Sequence, residues 1–293
     1  MNKKKIVVAI SIAFISIASI ITEACKKTQL TDADVQTVTD NVTAQGISQE
    51  IQNLAEQAHS LGKSGTIGMR ATSDFDILSA CAIVKDDSSN TNIIPDTMRI
   101  NFGTSPCICH DGKYREGEII IYYTGKFRNA GAAINIYFNN YAVGSTATDL
   151  YQISNSSHKN ITNNGMNTNG LMNWTINSTI NITKPNGGGT IAYTDAITRT
   201  QTAGNTAYIT SANKYDLNGT SNGTAANGTS FSAQTASGND LIKDMSCTDF
   251  FTQGELDVTP SSSGAIAINF GTGSCDNSAT LTRGSHTTTI TLH

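Results

Sequence analysis

Apolar and polar positions alternate through most of the chain beyond residue 75. The clearest run is Leu171–Thr183. Trp174, Ile176, Ile180 and Ile182 share one side with Ser178, and Thr175, Asn177, Thr179, Asn181 and Thr183 take the other. A period of two with one dry and one wet face marks a half-buried strand. Further strands are expected at Ile77–Val84, Thr97–Phe102, Glu118–Tyr123, Ala132–Phe138, Asp149–Ser154, Glu255–Thr259, Ala265–Phe270, Ala279–Thr282 and Thr287–Leu292. Pro185-Asn186-Gly187-Gly188-Gly189 reads as a turn, and Thr190–Thr200 resumes as its hairpin partner. Tyr208, Tyr215 and Phe231 mark short strands separated by Asn218-Gly219, Asn222-Gly223 and Asn227-Gly228, and Asn-Gly is a strong hairpin signal. No gap between these strands holds a crossover helix, which excludes parallel βαβ units. The fold class is therefore all-β, an antiparallel meander, with a curved sheet, an open barrel and a sandwich all open.

The period changes near the N-terminus. Thr31 and Asp34 have capping-box spacing. Val35, Val38 and Val42 share a face, and after Gly46 the positions Ile47, Ile51, Leu54, Ala58 and Leu61 form an apolar stripe. The expectation is one broken helix or two short ones across Thr31–Leu61, with the stripe packed on the β domain. Gly65 to Ser73 has the composition of a linker.

Upstream, Lys3, Lys4 and Lys5 precede an apolar run from Ile6 to Ile21 and then Ala24-Cys25. This is the layout of a secretory signal, and the run is shorter than a spanning helix needs. A small residue directly before the cysteine resembles the bacterial lipobox, which implies cleavage before Cys25 and lipid on its thiol. Each buried lipid CH₂ contributes about 0.8 kcal/mol, so several chains hold a protein at a membrane durably. The expected organisation is residues 1–24 as signal peptide, 25–73 as lipid-anchored tether and amphipathic helix, and 74–293 as β domain. The expected location is the cell envelope, as an outer-membrane lipoprotein, with both membrane faces open.

One stretch occurs twice. Ile100-Asn101-Phe102-Gly103-Thr104 precedes Cys107, and Ile268-Asn269-Phe270-Gly271-Thr272 precedes Cys275. Each copy has an earlier cysteine, Cys81 or Cys247, at a similar distance upstream. Related β-units are expected near 77–125 and 243–293. Repeat logic pairs Cys81 with Cys107 and Cys247 with Cys275, although Cys109 could displace Cys107.

The run Asn101-Phe102-Gly103, Cys107, Asp111-Gly112, Arg115, Gly117, Glu118 to Ile121 and Thr124-Gly125 resembles a family of uncharacterised Bacteroidota lipoproteins. Phe138-Asn139-Asn140-Tyr141 and Phe270-Gly271 with Cys275-Asp276-Asn277 extend the resemblance over most of the chain after Cys81. The resemblance implies a fold signature and carries no activity.

Composition narrows the functional classes. Charged residues make up 14% of the chain and the net charge is −4, so a nucleic-acid-binding role has no basic patch to rest on. Among chemical motifs only Cys107-Ile108-Cys109-His110-Asp111 is suggestive. His59, His158, His286 and His293 are scattered, so no metal set forms around it, and a c-type haem site needs one more residue between the cysteines. Adjacent Cys109 and His110 would point to opposite faces of a strand. No elbow, zinc-protease or phosphate-loop motif is present, and no cofactor is expected. The sole tryptophan, Trp174, reads as core, with a ligand groove for sugar or lipid as the sharper alternative.

The leading expectation is a lipid-anchored envelope protein with a structural or binding role and no catalysis. Its partners are the membrane through Cys25 and an unidentified envelope protein, glycan or lipid. The alternatives are a carrier or glycan- or lipid-binding module using an apolar groove, and an enzyme using Cys109, His110 and Asp111.

Overall fold

A computed structural model describes residues 29–61, 78, 82–87, 95–247 and 250–292. One helix, α1 (Asp32–Leu61), is followed by sixteen strands. They are β1 (Ile83–Asp86), β2 (Asp96–Asn101), β3 (Cys107–Ile108), β4 (Tyr114–Tyr123), β5 (Ala133–Gly144), β6 (Leu150–Ile153), β7 (His158–Met166) and β8 (Met172–Thr183). After a 3-10 turn at Pro185–Gly187 come β9 (Thr190–Ala203), β10 (Lys214–Thr224), β11 (Ser230–Thr235), β12 (Leu241–Asp244), β13 (Gln253–Pro260), β14 (Ile266–Thr272), β15 (Ser278–Arg283) and β16 (His286–Thr291).

All strands join one sheet in near-sequential order, from β1 at one end to β16 at the other. Every pairing is antiparallel, as the meander pattern predicts. The architecture is thus a single curved sheet with an N-terminal helix, not a two-layer sandwich. On β8 and β9 the inward residues include Trp174, Ile176, Ile180, Ile182, Ile191 and Tyr193, all buried. The outward residues are Asn, Thr and Ala, such as Thr175, Asn177, Thr194 and Thr198. The outward faces of these two strands are therefore polar.

The sheet curls around α1. Side chains of the helix bond to β4, β7, β8, β9, β10 and β15. From Ile51 to Ala58 every residue is buried, so the helix has no open side over two turns. Farther toward its N-terminus a narrow seam of half-buried positions remains at Gln36, Thr39, Thr43, Gly46 and Glu50. Their three-and-four spacing places them on one line along the helix.

Three expectations need correction. The helix is not broken at Gly46; it runs through, because the surrounding sheet supplies contacts that outweigh the ~1 kcal/mol cost of a mid-helix glycine. The apolar stripe does pack on the β domain, but the opposite face is buried too, and Asn41, Gln45, Ser48, Gln52 and Glu56 are all enclosed. Asn218-Gly219 and Asn222-Gly223 are not hairpin turns and lie inside β10. A Cβ at Gly219 would lie 2.1 Å from the Ala196 carbonyl oxygen, and one at Gly223 would lie 2.1 Å from that of Ala192. These glycines permit close approach of β9 to β10; only Asn227-Gly228 makes the turn before β11. Tyr208 sits in a loop rather than a strand, and β7 went unread because its Lys159 and Asn163 are polar residues in the inward phase.

The N-terminus of α1 does carry the expected box. Thr31 Oγ1 accepts from Asp34 N at 3.2 Å, and Thr31 N donates back to Asp34 Oδ2 at 3.0 Å.

Candidate functional site

The inner face is occupied by a polar lattice between helix and sheet. Arg115, fully buried on β4, donates to Glu50 on α1 at 2.6 Å and to Asp111 at 2.5 Å. Lys113 reaches the other Glu50 oxygen at 2.8 Å. Burial pushes the Glu50 carboxyl up, but Arg115 and Lys113 outweigh it and bring it down to about 2. Arg128 bridges Glu56, Gln201 and Tyr215. Lys184 pairs with Asp40 at 2.6 Å, and Arg283 pairs with Asp34 at 2.9 Å.

Midway, Lys159 Nζ donates to Ser48 Oγ at 2.8 Å and Ser178 Oγ at 3.2 Å, while Ser48 donates to Asp195 at 3.1 Å. Burial lowers the lysine to about 8, with Asp195 opposing that shift. A serine beside a lysine of lowered pKa is chemically suggestive. Here Lys159 and Ser48 are fully buried, and the cluster ties three strands to the helix. Such buried pairs stabilise little in net terms, yet leaving one partner alone costs about 3–5 kcal/mol. Their effect is to fix the helix in one register inside the sheet.

The sequence-derived candidates fall as follows. Cys25 and Cys81 lie outside the described residues. Cys247 and Cys275 form a disulfide with a Cα–Cα distance of 5.5 Å. Cys107 is disulfide-bonded, and Cys109 is a free, buried thiol, so Cys109 has not displaced Cys107. Of the Cys109, His110 and Asp111 groups, Cys109 is buried, His110 is exposed, and both Asp111 oxygens accept from Arg115. Trp174 lines no groove. It is fully buried, donates Nε1–H to the Phe127 carbonyl at 3.2 Å and packs beside Arg128 and Tyr215. The apolar face that would have held a ligand is filled by α1 and by the sheet's own side chains. No group of three or more metal-ligating side chains is clustered among the described residues.

What remains open to solvent is the outer face, where the two INFGT copies reappear as matched structures. In each the asparagine caps the turn through its side chain: Gly103 N donates to Asn101 Oδ1 at 2.7 Å, and Gly271 N to Asn269 Oδ1 at 2.9 Å. The glycines have φ of 85° and 87°, the left-handed region that disfavours other residues. Each asparagine faces a glutamate on the neighbouring strand, Asn101 opposite Glu118 and Asn269 opposite Glu255. Each glutamate follows a bulge glycine pressed on a third strand: a Cβ on Gly117 would lie 2.1 Å from Asn140 O, and one on Gly254 would lie 2.2 Å from Asp240 O. A polar hollow opens over each, about 340 Å³ in the first and 440 Å³ in the second.

The shared Gly-Glu pair went unread because chain order is exchanged. Gly117-Glu118 follows the first INFGT copy, whereas Gly254-Glu255 precedes the second. A search for linear repeats passes over such a swap. A second missed feature lies beside the first hollow. Ile134, Ile136 and Phe138 point inward, so Asn135, Tyr137 and Asn139 point outward. Tyr122 on β4 does likewise, and a depression of about 370 Å³ lies among Tyr122, Asn135 and Tyr137. The readable signal was a tyrosine in the wet phase of each alternation.

No family model, curated protein or solved structure matches the chain.

Proposed function

We propose that this chain is a lipid-anchored protein of the cell envelope, non-catalytic, whose outer β surface does the binding. The observation that carries the reading is the placement of α1. The segment directly after the proposed anchor is built into the centre of the body rather than left as a free tether. Arg283 bonds the Gln29 carbonyl at 3.3 Å and Asp34 at 2.9 Å, so the body is gripped from position 29 onward. Four residues of chain from Cys25 to Gln29 span at most about 14 Å. An anchored body is thus held close to the bilayer on a short leash.

On this reading an orientation follows. The end of the body near the start of α1 carries the Pro185–Gly187 turn, Ala226 and Ser263, through Lys184, Asp40 and Asp34. Those turns would face the lipid headgroups. The far end, around Arg128 where it meets Glu56, stands about 33 Å from Asp34 along the helix. The non-catalytic half of the reading rests on Cys109 being buried while His110 is exposed, on Asp111 being held by Arg115, and on a lysine–serine cluster sealed from solvent.

The test is fractionation of cells producing wild-type protein and Cys25→Ala, with metabolic fatty-acid labelling. Wild type should partition with membranes and take up label, and the variant should do neither. A variant that remains membrane-bound removes the anchor from the reading.

A further inference from the structure

We infer that the outward face of β4 and β5 is a binding site for a neutral oligosaccharide, stacked on Tyr122 and Tyr137 and hydrogen-bonded by the asparagines around them. This identifies the ligand class of the outer surface and does not depend on the anchor, since sugar binding and membrane partitioning are measured separately.

Tyr122 and Tyr137 are 42% and 40% exposed, among the largest apolar side chains left open on the described surface. They sit on neighbouring strands with ring centroids 5.6 Å apart and planes at 76°. Neither ring is needed to close the core, which lies on the opposite face of these strands. Register places Asn135 opposite Tyr122, and Asn160 on β7 opposite Asn135. Asn139 faces Glu118 two positions further along, which leads into the hollow beside Asn101. From Tyr122 to Glu118 the strand rises about 13 Å. The face is thus a short track with two aromatic rings at one end and amide, hydroxyl and carboxylate groups at the other.

The chemistry selects among ligands. Aromatic rings offer a face to the C–H side of a sugar ring, with polar tips at their edges. Asparagine amides both donate and accept, which suits vicinal hydroxyls. Anionic ligands are disfavoured because Glu118 lies in the track, and the nearby Arg99 guanidinium is already engaged by Asp87 at 2.9 Å and Glu118 at 3.4 Å. A protein partner would call for a wider apolar patch than the two rings and Ile120, which stands opposite Tyr137. The matched face of the second unit has no ring at all: Thr259 stands in the register position of Tyr122, and Gln234 in that of Tyr137. One site per chain follows.

The experiment is an array of neutral glycans probed with detergent-solubilised full chain, then calorimetric titration with the strongest oligosaccharide. Saturable binding at one site per chain is expected. Tyr122→Ala and Tyr137→Ala should each weaken it by about tenfold, and Tyr208→Ala, a 46% exposed tyrosine on the loop between β9 and β10, should not. Labelling with 3-fluorotyrosine gives a readout that needs no destabilising variant: the fluorine resonances of two of the nine tyrosines should shift on binding, assigned through Tyr122→Phe and Tyr137→Phe. Absence of saturable binding to every neutral glycan at millimolar concentration overturns the inference. So does binding that survives both alanine variants, or a dimer in sedimentation that those variants abolish in place of a sugar signal.

Discussion

The two INFGT units share a backbone and differ in what they carry. In β2, β4 and β5 the asparagine turn, the bulge glycine and the facing glutamate sit in the same register as in β14, β13 and β12. The first unit has a continuous third strand. In the second, a turn at Gly238 splits that strand into β11 and β12. The first unit sends Arg115 inward to grip Glu50 on the helix, whereas the second fills its inner side with Lys243 capping the carbonyls of Cys247 and Phe250. Outward, the first shows two tyrosines where the second shows Thr259 and Gln234. One backbone solution, disulfide-bonded in both units, therefore serves two ends: a helix clamp with an aromatic track, and a ring-free flank. Glycine and asparagine fix the geometry; the side chains between them are free to differ.

The comparison can be tested at both units. The largest effect should come from the disulfides. Replacing Cys247 and Cys275 by serine opens a loop with a sequence separation of 28 and should cost about 3.5 kcal/mol in denaturant unfolding. Cys107→Ser should cost a similar amount if the units are alike in energy as well as shape. Thiol titration of the denatured, non-reduced wild type should find one reactive group, Cys109.

Next come the bulge glycines. Gly117→Ala and Gly254→Ala each force a Cβ against a backbone carbonyl at positive φ, and each should destabilise by about 2–3 kcal/mol. If one unit tolerates alanine, the shared bulge is only superficial.

Glu50→Gln probes the first unit alone and should cost about 2 kcal/mol, since Asp111 still faces Arg115. Glu50 is held below its ordinary value of 4.5, at about 2. Its contribution is therefore present above pH 4.5 and is lost as pH falls through 2. Wild-type stability should drop over that interval, and the drop should be shallower in Glu50→Gln.

Grafting sharpens the contrast from the other side. The double variant Thr259→Tyr with Gln234→Tyr should add a second, weaker sugar site, raising the calorimetric stoichiometry from one to two. The smallest effect is expected where neither unit is touched: Gly46→Ala meets open space in mid-helix and should stabilise by about 0.5–1 kcal/mol.

Much of this was legible in the chain. Alternation gave the strands and their antiparallel order, Thr31 and Asp34 gave the start of the helix, and the cysteine spacing gave the Cys247–Cys275 bridge. The misses have physical causes. Asn218-Gly219 and Asn222-Gly223 look the same in sequence whether they turn the chain or let two strands approach closely. Tyr122 and Tyr137 fall inside the expected strands Glu118–Tyr123 and Ala132–Phe138, and only the phase of their neighbours reveals that they face water.

Local pattern settled the period of each element, because that depends on neighbours two to four positions away. It could not settle what stands opposite a given side chain. Glu50 and Arg115 are 65 positions apart, and Asp34 and Arg283 are 249 apart. Only the curling of the sheet around α1 buried most of its polar face as well as its apolar one, since a polar residue reads as exposed until a partner with matching charge or hydrogen bonds is brought to meet it.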